Sequence, residues 1–204
     1  MQPLYGVGVL AIACVLAGCG KNTGVGGAAG DATPTTRAAN AEFAKELKLD
    51  DPQDFEDAKR GFMAKPSGKI VAADGTVLKD FDAYQFLEGA APDTVNPSLW
   101  RHARLNANVG LYKVMDGVYQ LRGFDIANLT LIEGKTGWIV VDPLTTRESA
   151  KFAMDFAQQH LGKKPVTGMV FTHAHVDHFG GALGVLTPQE VEKRNIPVVA
   201  PAGF

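Results

Sequence analysis

Residues 173–178 read His173-Ala174-His175-Val176-Asp177-His178, so three imidazoles and a carboxylate fall within six positions. They follow directly on an apolar run, Val166-Thr167-Gly168-Met169-Val170-Phe171, and precede Gly180-Gly181. No other feature restricts the fold as much. A buried strand must end at Phe171-Thr172, and the chain must turn at once into a tight polar loop. The paired glycines let the backbone pass close to whatever the loop surrounds. Zinc takes imidazole nitrogen and carboxylate oxygen at about 2.0–2.2 Å. A loop this dense in both donors can seat metal, and alternate residues can serve two different ions. A His-rich surface loop is the plain alternative. It suits a lone His better than three of the chain's five, gathered behind a strand.

The chain has 204 residues, 46% hydrophobic and 21% charged, which suffices for one ordinary core. Its net charge is −2 with the signs mixed, and no basic stripe is visible, which excludes nucleic acid as a partner. Residues 7–16 are apolar and lead into Leu16-Ala17-Gly18-Cys19. This run is shorter than the roughly 20 residues that a transmembrane helix needs. It looks like a bacterial lipoprotein signal, with Cys19 lipidated as the first mature residue. The expected location is then the cell envelope, in the periplasm and tethered to the membrane through Cys19. The first five residues lack the Lys or Arg usual in such signals, so a short uncleaved anchor or a misassigned start is the alternative. Both cysteines, Cys14 and Cys19, lie in this segment, which leaves no disulfide to staple the fold.

Residues 1–19 therefore read as a signal and residues 20–40, rich in Gly, Ala and Thr, as a flexible tether. Such a tether reaches roughly 25 Å. Residues 41–109 form an extension, with a charged, helix-like stretch over 41–63 broken at Asp50-Asp51-Pro52. A hairpin is expected around Asp74-Gly75, and a helix over 100–108. From Gly110 the chain is β-rich. Val118-Tyr119-Gln120-Leu121 is a strand, and 129–132 and 138–141 form a hairpin. Thr145-Thr146-Arg147-Glu148 reads as a capping box before a helix with Ala150, Ala153, Phe156, Ala157 and Leu161 on its apolar face. Gly162 ends it, 166–171 is a strand, a helix starts at 180–186, and 197–200 is a further strand. This pattern is mixed α/β. Trp100, Tyr112 and Trp138 are expected in the core, and His102 and His160 at the surface.

The metal loop, the strand before it and Phe179-Gly180-Gly181 resemble the metallo-β-lactamase superfamily. Four blocks narrow the resemblance to the alkyl sulfatase branch, which includes hydrolases of dodecyl sulfate. They are Asn96-Pro97-Ser98-Leu99-Trp100-Arg101, Gly110-Leu111-Tyr112-Lys113-Val114, Gly123-Phe124-Asp125-Ile126-Ala127-Asn128 and Gly137-Trp138-Ile139-Val140-Val141-Asp142-Pro143-Leu144-Thr145. The resemblance implies that 110–204 is the first half of an αββα sandwich, incomplete at its C-terminus. It implies two Zn2+ per complete domain, with His173 and His175 on one and Asp177 and His178 on the other. Paired metals about 3.5–4 Å apart polarise a substrate and lower the pKa of bound water. The implied reaction releases an alcohol and inorganic sulfate, with the alkyl tail in an apolar channel. Asp142, at a strand end, is expected beside the loop, where it orients a ligand His or the loop backbone. A turn cap before Pro143 is its other role.

The superfamily draws further ligands from later in the chain, yet no His follows His178, and Glu190 and Glu192 come too soon. The branch also carries a dimerisation region and a further C-terminal domain. The chain is therefore expected to be the N-terminal part of such an enzyme, inactive alone and a homodimer in full-length form. Two alternatives stand beside an alkyl sulfatase. One is another hydrolase of the same fold, acting on a lactam, lactone, thioester or phosphoester. The other is a non-catalytic, truncated lipoprotein.

Overall fold

Alternating large apolar residues build the sheet that carries the His-rich loop. The computed structural model describes residues 30–204. The signal, Cys19 and the first part of the tether lie outside the described residues. Seven strands form one sheet in the order β1-β4-β5-β6-β7-β8-β9. They are β1 (Phe62–Ala64), β4 (Gly110–Met115), β5 (Val118–Arg122), β6 (Leu129–Glu133), β7 (Trp138–Val141), β8 (Val166–Val170) and β9 (Val198–Val199). β2 (Lys69–Val71) and β3 (Val77–Asp80) pair separately as the expected hairpin. Pairing is antiparallel through β7, then parallel for β7–β8 and β8–β9.

The parallel switch follows from what joins the strands. Helix α4 (Arg147–Leu161) crosses from β7 to β8, as a parallel pair requires. Its Ala150, Ala153, Met154, Phe156 and Ala157 are buried. Most of them share one core with Leu121, Leu129, Leu131, Trp138 and Val140 of the sheet. Period-two alternation sends these sheet residues to the same face. Tyr112, Trp100 and Trp138 are buried as expected, and His102 and His160 are exposed.

Several local expectations shift. Helix α1 (Pro34–Lys45) begins inside the stretch read as tether, because the Thr33 hydroxyl accepts from the Thr36 N–H and Pro34 opens the helix. Arg37 then pairs with Asp93, and the Asn40 side-chain amide donates to the Asp93 carbonyl at 2.9 Å, which ties α1 to the fold. The cap of α4 is Thr146, accepting from Ser149 N–H at 3.1 Å, rather than a Thr145–Glu148 box. Thr145 is held by Asp125 instead. A full capping box does occur, Thr187 with Glu190, at the start of α6 (Pro188–Arg194). No helix spans 180–186. A single turn, α5 (Val176–Phe179), comes earlier and is followed by a 3₁₀ turn at Ala182–Gly184. Helices α2 (Gln53–Lys59) and α3 (Pro97–Asn106) complete the extension. Among the described residues no helix is long and apolar enough to cross a membrane.

The turn around Gly180 and Gly181 is closely packed. A Cβ built on Gly180 would lie 2.3 Å from the Thr145 carbonyl oxygen, and one on Gly181 only 2.1 Å from that of Pro143. The Gly181 N–H donates to the Leu144 carbonyl at 2.8 Å. The His-rich turn is thus clamped against residues 142–146, backbone on backbone. Gly181→Ala should therefore destabilise the protein by roughly 1–3 kcal/mol, the usual cost of overpacking. Gly168→Ala in β8, whose nearest neighbour to the added carbon lies at 3.6 Å, should be neutral or stabilising by up to about 1 kcal/mol. Urea unfolding of both variants checks the contrast, and equal midpoints would refute it.

Candidate metal centre

The register of β7 against β8 brings the site together. Val141 pairs with Val170, so the residues that follow both strands emerge side by side at the same end of the sheet. Ligand sites of open α/β sheets form at such carboxyl ends. Asp142 follows β7, and Thr172 and His173 follow β8.

Asp142 is buried, 7% exposed, with φ 54°. Its Oδ1 accepts the Thr172 N–H at 2.8 Å, and its Oδ2 accepts the Thr172 hydroxyl at 2.6 Å. The same Oδ2 lies 2.8 Å from His178 Nδ1. Burial pushes this carboxyl up, but the bonds from Thr172 and His178 outweigh it and leave its pKa below the ordinary value. Ionised, it only accepts, so His178 must carry its proton on Nδ1. The lone pair of His178 Nε2 then faces Asp177 Oδ2 at 3.3 Å. An acceptor facing an acceptor is relieved by a proton or a metal ion between them.

A parallel argument holds for the other pair. The Thr172 hydroxyl gives its hydrogen to Asp142 and lies 3.0 Å from His173 Nδ1. His173 therefore donates from Nδ1 and presents a free Nε2, which is 3.2 Å from His175 Nδ1. The three rings cluster, with centroids 4.0 Å apart for His173–His178 and 4.7 Å for His173–His175. Tetrahedral bonds of 2.0–2.1 Å separate neighbouring donors by about 3.3 Å. Both donor pairs have that spacing, so the chemistry and the geometry fit Zn2+. Yet among the described residues no three His, Cys, Asp or Glu side chains converge as one metal group. Each pair offers one edge of a tetrahedron rather than a closed shell.

Two residues act here that the sequence reading set aside or passed over. Thr172, which the sequence marks only as the end of the strand, links Asp142 to His173. Asp125 takes the Thr145 N–H at 3.1 Å and the Thr145 hydroxyl at 3.0 Å, and so anchors the 142–146 loop. Nothing in the local pattern marks it, since its partner lies 20 residues away.

Residues 122–204 match the model of the metallo-beta-lactamase superfamily. Residue 110, the expected start of that domain, opens β4, which is hydrogen-bonded into the same sheet. The chain is 49% identical over 174 residues to an (R)-specific secondary-alkylsulfatase from Pseudomonas sp, covering 85% of this chain and 26% of that protein. It is 45% identical over 176 residues to a linear primary-alkylsulfatase from Pseudomonas sp, covering 85% and 26%. An alkyl/aryl-sulfatase of Saccharomyces cerevisiae is 45% identical over 173 residues, covering 84% and 27%. A solved structure of a stereoselective inverting sec-alkylsulfatase from Pseudomonas sp. superposes with a TM-score of 0.81 at 49% identity, covering 85% of this chain and 28% of that one. The chain thus spans about a quarter of the length of these curated relatives.

Asp142→Ala should free the His178 ring. Imidazole ¹H–¹⁵N spectra of the metal-free protein should show His178 mainly as the Nδ1–H form, and a mixture of tautomers in the variant. An unchanged tautomer would break the assignment.

Proposed function

We propose that this chain, whose residues 122–204 match the model of the metallo-beta-lactamase superfamily and which is similar to an alkylsulfatase over 85% of its length, is the metal-loop part of an alkyl sulfate hydrolase. The reaction is attack of water on a sulfate monoester, giving an alcohol and inorganic sulfate. The observation that carries this reading is the donor arrangement at the ends of β7 and β8: two pairs spaced as zinc ligands, in a fold with an alkylsulfatase relative.

His173 and His175 would hold one zinc, and Asp177 and His178 the second. When bound, the pair supplies a water of lowered pKa and positive charge facing the sulfate oxygens. The chain's own residues prepare this. Asp142 holds the His178 proton on Nδ1, which keeps Nε2 free for metal. Thr172 does the same for His173 through its hydroxyl. The α5 turn fixes Asp177 and His178 as neighbours, and the glycine clamp sets that turn against the 142–146 loop. Further ligands complete each shell, and the whole enzyme supplies the channel for the alkyl tail. Another hydrolase of the same fold remains the second reading. The alkylsulfatase similarity, which extends well upstream of residue 122, favours the first.

In the full-length protein, His173→Ala should lower bound zinc by about half or more and reduce sulfate release from dodecyl sulfate at least 10²-fold, since an incomplete shell neither holds nor tunes the ion. Zinc content by mass spectrometry and ion chromatography of released sulfate are the two readings. Full zinc with full turnover would refute the ligand role. Turnover of a lactam or phosphoester panel in place of the sulfate would favour the second reading.

The same proposal includes a lipid anchor on Cys19. Two acyl chains anchor stably where one does not. Mass spectrometry of the native N-terminus should find a diacylated Cys19, and an unmodified Cys19 in the mature chain would remove the anchor and the periplasmic location with it.

A further inference from the structure

Two adjoining cavities lie in the extension, away from the His-rich loop. One, of about 400 Å³, sits between α2, β3 and the C-terminal end of α3, and four cations line it: Lys59, Lys65, Lys79 and Arg104. Glu88 is its single carboxylate. Among the described residues none of the four cations forms an ion pair. The other cavity, of about 480 Å³, is an apolar groove on α3 that includes Phe86, Val95, Leu99, Trp100 and Ala103. Both volumes fall within the ~300–1,000 Å³ of small-molecule sites.

The cavities are continuous in their walls. Lys79, Tyr84, Leu87, Ala107 and Val109 line both. The Lys79 ammonium lies 4.8 Å from the Tyr84 ring centroid, at the junction. Burial lowers the pKa of Lys79 and Asp125 acts against that shift, so this ammonium is short of solvation and gains from an anion. In the groove, Tyr84, Phe86 and Trp100 form an aromatic run with centroids 6.3 Å and 6.1 Å apart. Phe86 is 64% and Leu99 60% exposed. Large apolar side chains left side by side in water mark a binding surface.

We propose that these two cavities form one site for a single-chain anionic amphiphile, with the anionic head among Lys59, Lys65, Lys79 and Arg104 and the alkyl tail along Phe86, Leu99 and Trp100. Charge complementarity selects the occupant. The cations call for an anion, and an apolar groove opening from them calls for a tail on it. A small inorganic anion leaves the groove wet, and a neutral lipid leaves the cations unpaired. The site shares no lining residue with the His173–His178 loop. It therefore binds in the absence of metal and does not rest on the hydrolase reading. If that reading holds, the site concentrates substrate-like amphiphiles beside the enzyme.

The test titrates the full-length protein, stripped of metal with chelator, with decanesulfonate below its critical micelle concentration. The sulfonate has no ester to hydrolyse. A saturable site that depends on Lys79 is expected by calorimetry, in addition to any binding in the substrate channel. Lys79→Gln should weaken binding at least tenfold. Affinity should rise about fourfold per methylene from octane- to decanesulfonate, as tail burial implies, and Phe86→Ser should reduce that gain. Phe86 is mostly exposed, so its loss spares folding. His173→Ala should leave binding unchanged, which keeps this result separate from the fate of the metal site. Equal binding of decyltrimethylammonium, indifference to Lys79→Gln, or uptake without saturation would overturn the proposal. So would saturable binding by the 204-residue chain that the full-length protein lacks, which would assign the groove to the rest of the polypeptide.

Discussion

The carboxylate of Asp142 is the hinge of the structure. It stands where two parallel strands end, and three donors converge on it from the neighbouring segment: the Thr172 N–H, the Thr172 hydroxyl and His178 Nδ1. A buried carboxylate without partners would cost several kcal/mol. With three it is ionised and held, and it organises its surroundings in return. Two of the loop's three imidazoles take their tautomer from it, His178 directly and His173 through Thr172. The site's chemistry therefore depends on a residue that is not itself a proposed ligand.

That carboxylate needs its loop held still, and backbone contacts do this. Asp142 and Leu144 both have positive φ, 54° and 64°, a conformation that costs a non-glycine residue of order 1 kcal/mol or more. The surroundings offset it. The Leu144 side chain is fully buried in the core, its carbonyl accepts the Gly181 N–H, and Asp125 grips Thr145. The glycines permit the approach on one side and the buried leucine anchors it on the other. Rigidity at the strand ends thus comes from the packed sheet and α4 behind them.

The extension is built on a different principle. Among the described residues, helices α2 and α3 and the β2–β3 hairpin leave Lys59, Arg104 and Lys79 outside any ion pair, next to exposed aromatics. Asp142 satisfies its own partners at the His-rich loop, whereas the four cations of the cavity meet no carboxylate in an ion pair among the described residues. Such surface is suited to an anionic partner supplied from outside.

Much of this was written in the chain's order. Short apolar and β-branched runs marked β5 to β8, Asp74-Gly75 marked the hairpin, and three His and an Asp behind a strand marked the donor loop, because each signal is local. The helix ends were less legible. Thr146 and Thr145 look alike as caps, and only Asp125, brought near by the fold, decides which hydroxyl is free. Pro34 and Thr33 could start α1, but the contacts that tie it to the fold, Asp93 with Arg37 and Asn40, come from 53 or more residues away. No regular helix runs over 180–186, because the Gly181 N–H bonds to the Leu144 carbonyl instead of continuing a helical ladder. The amino-acid sequence by itself determined which donors are present and that a strand delivers them to a turn. Tertiary structure alone decided which ring nitrogen each His presents, since that depends on Asp142, 36 residues from His178, arriving beside Thr172 through the pairing of β7 with β8. Side-chain identity is local, but protonation and orientation are set by whatever the fold places within hydrogen-bonding distance.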